Sequence, residues 1–343
     1  MHAELRLLWI AGAPAIFGAA GLSALLIVVL RPLLRRYAVA EPNARSSHSV
    51  PTPQGGGIAI VATVIAVSYA AFVFLPAGAA AALQFPVISA AVVLIAGVGV
   101  IADIHPQKVI LRLVLQALAV TAVVFALPPQ MRVVPILPLM VERIGLVTGG
   151  LWFVNLVNFM DGLDWMTVAE AVPISASLAG LGLFGILPAP AIIVSLALCG
   201  ALIGFAFFNR PVARLFLGDV GSLPIGLILG WLLVLLAANG ARTAAILLPL
   251  YYLADSSITL GRRAVNGEKI WHAHRSHFYQ RATDRGFSVL EVVSRIFAVN
   301  LVLGALALAT VFLPSRPTDI VALAAGGLVV AWLLLTFSRG RVT

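Results

Sequence analysis

Asn155, Asn158, Asp161 and Asp164 recur at every third position of NLVNFMDGLDWM, just after an apolar stretch that begins near Ile144. While the chain stays helical, that spacing puts their side chains on one face. Gly162 lets the backbone turn and come close to a ligand. Carboxamides and carboxylates at the edge of a membrane-length apolar run point to a working site, because ionisable groups at membrane depth are functional by default. The plain alternative is a polar helix end facing headgroups, with Asp161 as the cap of the next helix.

Three further constellations carry similar chemistry. In FLGDVGS, Asp219 sits between two glycines at the start of an apolar run. It reads either as an N-cap or as a ligand for a hard cation such as Mg²⁺, which prefers oxygen donors and keeps waters for substrate phosphates. In HSVPTPQGGG, His48 to Gly57, the glycines serve close packing or a flexible joint, or expose N–H groups to phosphate at a helix N-terminus. In WHAHRSHFYQR, His272, His274, Arg275 and His277 crowd one loop with Tyr279, Gln280 and Arg281. His and Arg together favour a phosphate-bearing anion; a solvated basic loop and a zinc site are the alternatives. Asp255, in YYLADSSITLGRR, either pairs with Arg262 or Arg263 or faces the site.

The surroundings of these residues are a membrane. The chain has 343 residues, 61% hydrophobic and only 10% charged, where soluble domains are about 25% charged. At ~20 apolar residues per crossing, candidate spans lie at 7–30, 55–76, 86–102, 109–128, 144–158, 167–187, 190–208, 220–238, 243–261, 289–313 and 319–337. The expected fold is an all-α polytopic bundle of about 10–11 transmembrane helices, since helices satisfy their own backbone in lipid. No linker divides the chain, so 1–343 reads as one domain. The first apolar stretch is too long for a signal-peptide core and is followed by its basic cluster, as in an uncleaved helix.

The formal net charge of +9 would suggest nucleic acid in a soluble protein. Here Lys and Arg gather on one set of loops and act as topology anchors, so no nucleic-acid partner is expected. Their bias puts the N-terminus in the periplasm and the C-terminus in the cytoplasm. The loops 31–54, 103–108, 159–166, 209–219 and 262–288 then form one cytoplasmic face, which holds Asp103 and most of the other polar residues named above. Cys199 is the only cysteine and lies in an apolar stretch, which excludes an internal disulfide. Acids for Mg²⁺ beside His, Arg and Gly for phosphate, in a cleft at a membrane edge, describe phosphoryl transfer between a soluble nucleotide and a lipid.

PTPQGGG, NLVNFMDGLDWM, FLGDVGSLPIG and AHRSHFYQR occur in this order between residues 48 and 281. In them the chain resembles the polyprenyl-phosphate N-acetylhexosamine-1-phosphate transferases, glycosyltransferase family 4. This superfamily starts peptidoglycan lipid, enterobacterial common antigen, O-antigen and teichoic acid linkage synthesis. The last motif is most similar to the O-antigen branch. The resemblance implies a multi-pass enzyme of the bacterial inner membrane with a cytoplasmic site. It implies a UDP-N-acetylhexosamine donor, undecaprenyl phosphate as acceptor, surrounding membrane lipid, and Mg²⁺ or Mn²⁺ as cofactor; a homodimer is compatible with it.

By motif position, Asn158 and Asp219 resemble the metal ligands. Asp103, Asp161, Asp219, His274 and His277 resemble catalytic positions. His48, Asn155, Gly162, Leu163, Asp164, Phe216, Asp255, His272 and Arg275 resemble substrate-binding positions. Two positions depart from the pattern. The usual Asp-Asp pair is Ala102-Asp103, and the glycine that often follows Asp164 is Trp165. A lipid phosphate is already largely ionised at neutral pH, its second pKa being about 6 if it behaves as a phosphomonoester, so one acid fewer is compatible with turnover. The competing readings are an impaired paralogue that binds lipid phosphate, favoured by Ala102 alone, and a transporter of a phosphorylated solute, which needs midplane acids and an internal repeat.

Overall fold

The computed structural model describes residues 2–41, 50–74, 79–105, 107–268 and 274–341. Helix dominates because each apolar run, once in lipid, has no water to satisfy its backbone. The first half holds α1 (His2–Tyr37), α2 (Gly57–Phe74), α3 (Ala79–Ile104), α4 (Val109–Phe125), α5 (Leu139–Met160) and α6 (Met166–Leu183). The second half holds α7 (Ala189–Asn209), α8 (Asp219–Ala238), α9 (Arg242–Leu247), α10 (Leu250–Val265), α11 (Phe278–Asp284), α12 (Val289–Phe312) and α13 (Arg316–Arg339). Among the described residues, eight helices are long and apolar enough to cross a membrane, and α2 and α4 contribute shorter apolar segments. The protein is an all-α polytopic membrane protein.

One expected span needs correction. The stretch 243–261 is not a single helix but α9 and α10, broken at Leu248–Pro249. Proline lacks the N–H that would continue the ladder, and its ring crowds the preceding turn. The second piece is also not apolar all round: it buries Tyr251, Tyr252, Asp255, Ser256, Thr259 and Arg263. A buried face of that kind positions polar groups instead of facing lipid.

The centre of the bundle is α7 and α8. Nearly every residue of α8 is buried, between α3 on one side and α5 on the other. The N-terminal residue of this strut is Asp219, so the best-anchored helix of the molecule presents the acid. Behind the 161–165 turn, α6 is tied to α12 by a buried pair. Asn300 Nδ2 donates to Glu170 Oε2 at 2.6 Å and to the Ala169 carbonyl at 3.0 Å. At the opposite end, the Pro-rich 128–138 connection is closed by Arg143, whose guanidinium caps the Val124 and Pro128 carbonyls, and by an Arg132–Glu142 ion pair.

Candidate functional site

PTPQGGG and FLGDVGS are brought together by main-chain bonds. A two-residue hairpin pairs β1 (Val39–Ala40) with β2 (Thr52–Pro53), and the chain then runs parallel to the 215–217 segment. Phe216 N donates to the Pro53 carbonyl (2.8 Å), Gly56 N to Phe216 O (2.9 Å) and Gly57 N to Leu217 O (3.0 Å). The N–H groups of Gly56 and Gly57 are therefore engaged by the protein. Of the readings open for the glycine run, close packing holds: a Cβ on Gly57 would lie 2.1 Å from the Cα of Gly221 in α8.

Asp103, at the end of α3, acts on α8. Its Oδ1 accepts from Asp219 N (2.9 Å) and its Oδ2 from Val220 N (3.2 Å). A negative charge at a helix N-terminus satisfies orphan donors and complements the helix dipole. The bend into α8 needs Gly218, whose φ is +77° and whose absent Cβ would meet Asp103 Oδ2 at 2.4 Å. Gln54 Nε2 in turn holds the Asp103 carbonyl at 2.6 Å. Asp103 thus positions the residue that follows Gly218.

The residue so positioned faces Asn158. Asn158 Nδ2 donates to Asp219 Oδ1 (2.7 Å) and to Ser222 Oγ (2.8 Å). Arg112, from the first turn of α4, closes the group: Nη1 donates to Asp219 Oδ2 (2.6 Å) and Nη2 to Asn158 Oδ1 (2.8 Å). One cation therefore bridges the two oxygens that the resemblance assigns to a metal. Among the described residues no set of three His, Cys, Asp or Glu has metal-binding geometry. Two oxygen donors around a guanidinium fit a cation that keeps waters and takes its remaining ligands from a phosphate.

The same cavity, about 300 Å³, is lined by Asp103, Asn158, Asp161, Gly162, Leu163, Asp164, Phe216 and Asp219, with Gln54, Asn209 and Gln280 among its other walls. Asp161 accepts from Thr167 Oγ1 at 2.5 Å. Burial, reinforced by the charges of Asp219, Asp103 and Asp164, raises its pKa to about 7 against the opposing Thr167 bond. Asp164 Oδ2 accepts from Ala213 N (2.9 Å). Trp165 is the one non-glycine residue with positive φ, +62°, among the described residues, a conformation that glycine adopts at less cost. It is held by Asn209 Oδ1, which accepts from its N–H (2.8 Å), and by the Ala206 carbonyl, which accepts from its indole (2.7 Å).

Asn155 lies elsewhere: its amide donates to Gln116 Oε1 (2.8 Å), one turn deeper between α5 and α4. The four residues do not share one helical face. The helix ends at Met160, so Asp161 and Asp164 reach the cavity from a turn.

The His/Arg motif divides in the same way. His277 and Asp255 are buried. His277 Nδ1 lies 3.1 Å from Asp255 Oδ1, and the main-chain N–H groups of Phe278 and Tyr279 donate to the same carboxylate at 3.1 and 3.2 Å. Asp255 does not pair with Arg262 or Arg263 and does not line the cavity; it anchors the start of α11. The helix α11 then docks on the 159–162 turn. Tyr279 donates to the Phe159 carbonyl at 3.2 Å, and a Cβ on Gly162 would lie 2.2 Å from that hydroxyl. Arg275 pairs with Asp284 at 3.0 Å. The ring of His274 lies 4.9 Å from that of His277, tilted by 31°; burial, then the neighbouring His277 and Arg263, lowers its pKa to about 4. It is neutral at pH 7 before any anion arrives. His48 and His272 lie outside the described residues.

Arg112 and Gln54 were not singled out by the sequence. Arg112 stood among the topology anchors. The available signal was its position inside the first turn of an apolar helix, where an arginine needs a partner.

A model of glycosyl transferase family 4 matches residues 85–237, which include nearly all of α8 and the Asn158–Asp219 pair. A probable undecaprenyl-phosphate N-acetylglucosaminyl 1-phosphate transferase of Bacillus subtilis is 25% identical over 305 residues, 82% of each chain. A decaprenyl-phosphate N-acetylglucosaminephosphotransferase of Mycobacterium tuberculosis is 28% identical over 335 residues, 87% of this chain and 81% of that one. Over more than four fifths of its length the chain is similar to polyprenyl-phosphate N-acetylglucosamine-1-phosphate transferases. A phospho-N-acetylmuramoyl-pentapeptide-transferase of Wolinella succinogenes is 29% identical over 172 residues, 46% of this chain and 48% of that one. The matched stretch takes in NLVNFMDGLDWM and FLGDVGSLPIG, whose residues Asn158, Asp161, Asp164 and Asp219 line the cavity.

Proposed function

We propose that this membrane phosphotransferase moves N-acetylhexosamine-1-phosphate from a UDP-sugar to undecaprenyl phosphate at the cytoplasmic face of the inner membrane. The observation that carries the reading is the Asn158–Asp219 pair, bridged by Arg112 at the polar end of a membrane bundle. The relatives' names supply the substrate class. An oxygen of the lipid phosphate attacks the β-phosphorus. The bond from that phosphorus to the bridging oxygen breaks, and UMP leaves with the oxygen. The nucleophile is already an anion, so no residue has to remove a proton, which is consistent with Ala102. Asp219 and Asn158 would hold Mg²⁺, or Mn²⁺ in its place, which when bound supplies charge neutralisation for the diphosphate. Arg112 supplies a positive charge beside it, and such positioning and charge placement carry phosphoryl transfer. Gly162, Leu163, Asp164 and Phe216 form the wall suited to the nucleotide. The AHRSHFYQR motif supports a role in starting O-antigen synthesis.

The test is UMP release by the purified protein with undecaprenyl phosphate, Mg²⁺ and a panel of UDP-N-acetylhexosamines. UMP from one donor, lost on chelation and in Asp219→Ala, supports the reading. No UMP from any donor, with UDP-sugar still bound by a folded protein, would sink it in favour of an impaired paralogue.

A further inference from the structure

One layer below the Asn158–Asp219 pair, α4 and α5 are joined a second time. Arg112 and Gln116 stand four residues apart on α4, and Asn155 and Asn158 three apart on α5, so each pair occupies one helical face. Two rungs therefore cross between the helices. The outer rung is Arg112 Nη2 donating to Asn158 Oδ1 at 2.8 Å. The inner rung, about 5.4 Å deeper, is Asn155 Nδ2 donating to Gln116 Oε1 at 2.8 Å. Their settings differ. Arg112 and Asn158 are half-buried, so water and anions compete for the outer rung, whereas Gln116 is fully buried.

The helix that carries Arg112 needs such a tie. It lies at the edge of the bundle, with Ile110, Val114 and Leu118 exposed along it, and its N-cap Lys108 makes no side-chain capping bond. Among the described residues its remaining polar link to α5 is at the far end, where Arg143 Nη1 donates to the Val124 carbonyl. A single rung near the site fixes how close α4 lies to α5 but leaves it free to turn about its axis. Two rungs fix the turn as well, and the turn decides where the Arg112 guanidinium lies. Packing is not what Gln116 supplies. Its Nε2 is buried without a hydrogen-bond partner, which costs stability, and an apolar side chain of the same shape would avoid that cost. What the carboxamide adds is its bond to α5, the kind of cross-helix contact that sets helix packing in lipid.

We propose that Gln116 is a positioning residue for the transfer: by holding Asn155 it keeps the Arg112 guanidinium aligned on the Asn158–Asp219 pair and on the diphosphate held there. The inference rests on the transferase reading and deepens it. The test compares UMP release and thermal unfolding of the full chain in detergent for the natural protein, Gln116→Met and Asn155→Leu, which replace each carboxamide by an apolar side chain of similar shape. In Gln116→Met, kcat is expected to fall about 10- to 100-fold, because a displacement of about 1 Å at a reacting centre costs that much. KM for the UDP-sugar should stay within about twofold, since the nucleotide wall belongs to the 162–164 turn and Phe216 and not to α4. The unfolding midpoint should be unchanged or higher, an outcome that a merely structural role does not give. Asn155→Leu should show the same split, and the double variant should lose no more than either single one, as expected for the two ends of one bond. In an Arg112→Lys background, Gln116→Met should cost less than about twofold, because the fork it aligns is gone. Unchanged kcat in both single variants overturns the proposal. So does an activity loss accompanied by early unfolding in both, or a full further loss in the Arg112→Lys background. No UMP from the natural protein overturns the transferase reading and this inference with it, so the two failures are told apart by the natural protein's own activity.

Discussion

Asp219 and Asp255 are both carboxylates on helices that lead to the cleft, and their surroundings are opposite. Asp255 is fully buried, and its oxygens receive Tyr251, Thr259, His277 and two main-chain N–H groups. Asp219 keeps about a quarter of its side chain exposed and is balanced by one amide and one guanidinium on a long, flexible stem. Fixed main-chain donors make a carboxylate part of the scaffold. A movable cation leaves it able to exchange that partner for a metal or a phosphate-bound ligand. Asp103 stands between the two: main-chain donors hold it, yet what it holds is the start of α8.

The comparison predicts different losses. Asp255→Ala strands an imidazole and two buried N–H groups, each hydrogen bond to a charged group being worth about 1.5–3 kcal/mol. Stability in detergent should fall by about 3–5 kcal/mol, read by thermal unfolding; a loss below about 1 kcal/mol would break the distinction. Asp219→Ala should leave the unfolding midpoint within a few degrees, while UMP release drops by about 10²-fold or more. A variant that instead unfolds early would make Asp219 scaffold as well.

Asp161 sharpens the contrast by pH. Its pKa is raised to about 7 from the ordinary 3.9 or so. Ionising it therefore costs the fold nothing below about pH 4, progressively more up to pH 7, and a constant amount above. The midpoint of Asp161→Asn relative to the natural protein should rise between pH 4.5 and 7.5 and then level; a flat difference would remove burial as the cause. The smallest effect belongs to Trp165→Gly. Relief of the left-handed backbone, about 1 kcal/mol, opposes loss of the indole bond to Ala206, about 1 kcal/mol, and of the half-buried indole's packing against the core, about 1–2 kcal/mol. The net loss of stability should be about 1–2 kcal/mol, and a gain in stability would show that the backbone strain dominates.

The bundle was legible because lipid forces any long apolar run to be helical, and Pro249 marked the break that span counting passed over. Asp219 was legible because a lone acid between glycines has few uses. His277 and Asp255 were not, since nothing in AHRSHFYQR distinguishes a histidine turned toward ligand from one sealed under α11. The sequence by itself determined a multi-helix membrane protein, the order of its four motifs and the residue types gathered at one membrane edge. Only the tertiary structure decided which of them meet. Arg112 reaches Asp219 across 107 residues and Asp103 caps α8 across 116. A hydrogen bond between helices depends on how each is rotated and how closely glycines let them pack, and local spacing carries neither quantity.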